Sequence, residues 1–165
     1  MSADKLEAIR NAANQVATAT NGEITTTVET VAIPNPIPGA NEVTSTTHPA
    51  PGSQGCQSDN GCTIHTFQSR GVFLSSRAVQ PASQTANAYA HDAVGHGIMG
   101  MCHIDGFLIG GASRSLMSGG PGVSSGQIAI QLTELDIQAA QEVYASSLNP
   151  GATRADFVAA GLIDP

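Results

Sequence analysis

Apolar residues recur at helical spacing near the start of the chain, where Leu6, Ile9, Ala13 and Val16 share one face of residues 3–20. Asn21-Gly22 supplies a stop, so the chain is expected to open with an amphipathic helix. The pattern then changes. Residues Ile24 to Ile33 are rich in β-branched side chains and predict a strand. Residues 34–61 hold most of the prolines, together with Gly and Asn, and predict a long loop. A loop of that length in a small domain is usually functional or tied down. Short strands are expected around Cys62–Phe67 and Gly71–Ser75. Gln84 to about Met99 lacks proline and predicts a central helix, with Ser83 as its N-cap. Residues 104–132 are rich in glycine and predict irregular structure. Thr133-Glu134-Leu135-Asp136 resembles a capping box with Asp in the usual Glu/Gln place. The helix it opens should run to about Ser147, placing Ile137, Ala140, Tyr144 and Leu148 on one face, before Asn149-Pro150-Gly151 ends it. A last short helix is expected over residues 153–160. With no internal repeat, this order predicts one α+β domain over residues 1–165.

Composition narrows the core and the partners. Hydrophobic residues make up 41% of the 165, but there is no Trp and there are only six Phe and Tyr, so the core must be built from small aliphatics. The formal charge of −7, with six Lys and Arg, leaves no basic stripe to displace the counterions of a nucleic acid. It equally disfavours an anionic membrane surface. No apolar run approaches the roughly eighteen residues of a membrane span. Met1-Ser2-Ala3-Asp4-Lys5 lacks the form of a signal peptide, which leaves an intracellular protein or an exported one whose leader has been removed. Cys56 and Cys62 flank a turn-rich loop. They can close a short disulfide, which would imply an oxidising compartment; a metal pair is the rival reading. Sparse Lys and abundant Ser, Thr, Gly and Ala favour the exported reading, so a secreted or extracellular location is expected.

Three of the five histidines, His91, His96 and His103, fall within thirteen residues on and just after the central helix. Two histidines that project from one helix face can bite one cation, and a carboxylate beside the first can act as general base. His91-Asp92, His96, Gly100 and His103, followed by Ser115-Leu116-Met117-Ser118-Gly119-Gly120, resemble the H-E-x-x-H-x-x-G-x-x-H signature and later methionine turn of the metzincin metallopeptidases. The element order is similar to a matrixin-like domain over most of residues 3–148.

Two departures from that signature stand out. His91 and His96 are five residues apart rather than four, and His96 and His103 seven rather than six. On a regular helix a five-residue interval separates side chains by about 140°. A π-type bulge, eased by Gly95 and Gly97, would bring His91 and His96 together. Without it, Asp92 and His96 stand one turn apart, and the metal would see Asp92, His96 and His103 instead. The second departure is chemical: Asp92 stands where the family has Glu, one methylene shorter.

The resemblance implies a zinc-dependent endopeptidase that hydrolyses a polypeptide substrate by a zinc-activated water, with His91, His96 and His103 on the metal and Asp92 as general base. It implies structural support from Gly100 and Met117, and an edge strand near Gly71–Ser75 that pairs with substrate. The alternative is a metallopeptidase-like binding protein that retains the metal with little or no catalysis. A monomer is expected. Cys102 reads as a buried free thiol or a soft ligand. Asp105 reads as a hydrogen-bond partner of a ligand histidine or a solvated turn residue. His48 and His65 read as ordinary loop and strand residues. The glycines of 106–122 do not form a phosphate loop, since no G-K-[ST] accompanies them.

Overall fold

A computed structural model of the chain describes residues 1–31, 41–46, 61–67, 73–105, 108–109, 112–113, 115–119, 128–146, 148 and 152–162. The opening helix α1 (Ala3–Asn14) pauses at Gln15 and resumes as the single turn α2 (Val16–Ala19). Ala8, Ile9, Ala12, Ala13, Val16 and Ala19 are all buried, along the stripe that the helical periodicity predicts.

The strand expected from Ile24 to Ile33 does not form over the described residues 24–31; residues 32 and 33 lie outside them. Ile24 and Val28 instead pack against the helical core. The Thr20 hydroxyl accepts from the Ile24 amide at 3.1 Å, and the Thr26 hydroxyl donates to the Ala13 carbonyl at 2.9 Å. The β-branched content is real, but its side chains find their partners on the helices.

The expected long loop also contains a strand. Within 34–61, β1 (Glu42–Thr46) pairs in parallel with β3 (Phe73–Pro81), and β2 (Cys62–Phe67) pairs with β3 on the other side, antiparallel. The sheet order is β1-β3-β2. A parallel pairing has no local hairpin signal to announce it. Asn41 fixes its start by accepting from the Ser76 amide at 2.8 Å and the Ser76 hydroxyl at 2.9 Å. The strand expected at Gly71–Ser75 is thus the beginning of β3, which is central rather than an edge; Gly71 and Val72 lie outside the described residues. In this sheet the antiparallel edge is β2.

After β3 the chain enters α3 (Ala86–Ala90), capped by Thr85 rather than by Ser83: the Thr85 side chain accepts from the Ala88 amide. Tyr89 is fully buried and its hydroxyl donates to the Pro81 carbonyl at 3.1 Å, tying α3 to the end of β3. The Lys5 ammonium lies 4.7 Å from the Tyr89 ring centroid and also donates to the Ala82 carbonyl, which gives this buried cation a partner on each side. Small residues on α1 meet Tyr89, Ala90, Ala93 and Val94 in one core with Leu116, Met117, Leu132 and Ala140.

The described residues of the glycine-rich segment include short strands. In it, β4 (Ile104–Asp105) runs parallel to β7 (Ser118–Gly119), and β5 (Leu108–Ile109) pairs antiparallel with β6 (Ala112–Ser113). Helix α4 (Glu134–Ala145) starts with the predicted Thr133/Asp136 capping box, and α5 (Arg154–Ala159) has a second one from Thr153 and Asp156. The result is a small mixed α and β fold.

Candidate metal centre

Directly after α3, residues His91–His96 form a π-helical turn. The Gly97 amide donates to the Asp92 carbonyl and the Met99 amide to the Val94 carbonyl, both at 2.9 Å and both spanning five residues. This widened turn stacks residues five apart, so His91 and His96 face each other with ring centroids 4.7 Å apart. The helix then stops at Gly100, whose φ of +65° lies in the left-handed region that glycine adopts without strain. The reversal returns His103 to the same place. Its Nε2 is 3.0 Å from the Nε2 of His91 and 3.0 Å from that of His96.

Each helix-borne imidazole is oriented from behind. His91 Nδ1–H donates to the Leu116 carbonyl and His96 Nδ1–H donates to the Met101 carbonyl, both at 2.6 Å. A neutral imidazole carries one N–H, so both Nε2 atoms present bare lone pairs to the centre. His103 can donate to only one of them, which leaves at least one contact between two acceptors. Protonation is a poor remedy. Burial, followed by the neighbouring His91, pushes the His96 imidazole down to about 4, and burial also lowers His91. A cation is the natural occupant of such a site, and the donor set suits zinc, which takes imidazole nitrogens in tetrahedral sites. The three imidazole nitrogens that could hold a metal ion lie within 4.8 Å of one another. Burial falls from His91 to the exposed His103, so the cluster opens to the surface on the His103 side.

The floor of the site is the turn Ser115–Ser118, which is entirely buried. A Cβ on Gly95 would sit 2.0 Å from Met117 Sδ, so Met117 lies directly against the π-turn. The value of Gly95 is room for that sulfur, beyond the backbone freedom expected of it. His103 rests in the same way on Gly119, where a Cβ would come within 2.7 Å of His103 Cγ. Asp136 holds the turn from α4. Its carboxyl accepts from the Ser115 hydroxyl and, at 2.8 Å each, from the Leu116 amide, the Thr133 amide and the Thr133 hydroxyl. The capping-box motif announced Asp136 as a cap only; nothing in the sequence announces its bonds to Ser115 and Leu116.

Asp92 stands beside the cluster, with Oδ1 3.9 Å from His91 Nε2. Burial pushes its carboxyl up to about 7. Of the remaining residues, His65 has more to do than its sequence context suggests: its Nε2–H donates to the His96 carbonyl at 2.8 Å. Cys62 is disulfide-bonded, whereas Cys56 and His48 lie outside the described residues. Cys102 is a free thiol, but exposed rather than buried. The side chain of Asp105 lies outside the described residues.

Fold and site together define a small α and β protein with three histidines positioned to bind a metal ion. No family model, curated protein or solved structure matches the chain. Among the described residues no helix is long and apolar enough to cross a membrane.

Proposed function

We propose that the protein is a zinc-dependent endopeptidase of metzincin type, with His91, His96 and His103 as metal ligands and Asp92 as general base. The observation that carries this reading is the convergence of three Nε2 atoms across a π-turn, two of them fixed as lone-pair donors by carbonyls behind them. The π-turn accommodates the longer His91–His96 interval that separates the sequence from the family signature. When bound, zinc polarises a carbonyl and acidifies water. The protein's own residues do the rest. The Asp92 carboxyl next to the cluster takes a proton from water and returns it to the leaving amine. The buried turn at Met117 keeps the ligand helix from shifting beneath the cation. An extended polypeptide is the substrate, reaching the site from the open His103 side. The disulfide at Cys62 supports an oxidising compartment outside the cytoplasm.

Asp in place of Glu favours one second reading, a metal-retaining binding protein whose base falls short of the water. Elemental analysis and casein digestion, each with and without a chelator, separate the two. A peptidase yields about one zinc per chain and chelator-sensitive cleavage that D92A lowers by two to four orders of magnitude, the range of general-base catalysis. Zinc at that stoichiometry with no cleavage by wild type, D92A or D92E would leave the binding protein.

A further inference from the structure

A π-turn departs from the α-helical hydrogen-bond ladder, and its carbonyls need specific partners to hold that geometry. Two of them receive side chains from outside the helix. The Thr63 hydroxyl donates to the Asp92 carbonyl at 2.9 Å, and His65 Nε2–H donates to the His96 carbonyl at 2.8 Å. Thr63 and His65 are two apart on β2 and therefore share one face of the strand. Asp92 and His96 are the second and last residues of the turn, so the strand holds it near its start and at its end. The same two carbonyls also accept from the helix itself, Asp92 from the Gly97 amide at 2.9 Å and His96 from the Gly100 amide at 3.2 Å. The strand that supplies the two side chains is itself anchored: β2 pairs along β3, and Cys62, immediately before Thr63, is disulfide-bonded.

We propose that Thr63 and His65 are positioning residues that clamp the π-turn and thereby set the separation of His91 and His96. The assignment rests on the metal-centre reading above. Neither residue reaches the Nε2 cluster as a ligand; both act through the backbone of Asp92 and His96. Outer partners of metal ligands typically alter affinity by about 10- to 100-fold, and a clamp on the ligand backbone should fall in that range.

The test is zinc affinity by competition with a chromophoric chelator, alongside thermal unfolding of the metal-free protein. T63V/H65L, which removes both donors, should weaken zinc binding by about 10- to 100-fold. T63S/H65Q, which restores a hydroxyl and an N–H donor, should recover most of the loss. T66V, on the opposite face of β2, should bind zinc like wild type. A purely structural role would lower the unfolding temperature of the metal-free protein and leave zinc affinity unchanged. Wild type that binds zinc while T63V/H65L binds it equally well overturns the clamp and leaves the metal reading standing. Wild type that binds no zinc overturns both. Should the double variant fail to fold, T63V, of nearly unchanged shape, is read in the same way: unchanged affinity overturns the clamp.

Discussion

Asp136 is fully buried and does two jobs with one carboxyl group. It caps α4 through the Thr133 amide, and it fixes the turn whose Leu116 carbonyl orients His91. Four donors converge on its two oxygens, so an amide there would turn an NH₂ towards at least one of them. We expect D136N to destabilise the protein by about 3 kcal/mol in urea unfolding, the range for hydrogen bonds to a charged group. Zinc affinity should fall as well, because His91 loses its fixed acceptor. Thr153 and Asp156 form the same capping box on α5 away from the site, where Asp156 is exposed. There D156N should leave zinc affinity unchanged. An equal loss of affinity in both variants would mean that Asp136 acts only through overall stability.

The π-turn and the buried turn Ser115–Ser118 meet where His91 bonds to the Leu116 carbonyl and where Gly95 packs against Met117. Adding a methyl group at Gly95 forces the sulfur or the turn to move, and overpacking of this kind costs about 1–3 kcal/mol. G95A should therefore lower stability by about 2 kcal/mol and weaken zinc binding. M117A leaves a cavity but removes the clash. The G95A/M117A double variant should consequently be less destabilised than the sum of its parts, since residues in contact are not additive. Additive losses in chemical denaturation would show that the two turns are energetically independent.

At the scale of the molecule, a metal held by the three histidines would link separate parts of the chain. The core is dominated by alanine, and the site draws on α3, the π-turn, the segment after Gly100 and the turn before α4. Zinc that binds the folded chain alone should stabilise it by about 2.7 kcal/mol at a free concentration 100 times the Kd. Chelation should therefore lower the thermal midpoint by several degrees, and zinc should restore it. A midpoint indifferent to chelator would mean that the three histidines hold no cation.

The sequence by itself determined the elements whose signals are local. Periodicity marked α1 and the Thr133/Asp136 box marked α4, because each depends on neighbours a few residues away; the strand expected at Cys62–Phe67 is β2. The three histidines and Gly100 were legible from spacing, and a five-residue interval implied a bulge if His91 and His96 were to meet. Tertiary structure alone decided the rest. Residues 24–31 have a strand's composition but lie on helices, since β-branched side chains can be buried by either kind of partner. The parallel pairing of β1 and the central place of β3 join segments more than thirty residues apart, beyond the reach of local pattern. The clamp from Thr63 and His65 and the brace from Asp136 join side chains to distant backbone groups. A sequence names the hydrogen-bonding groups it carries; only the folded chain determines which of them meet.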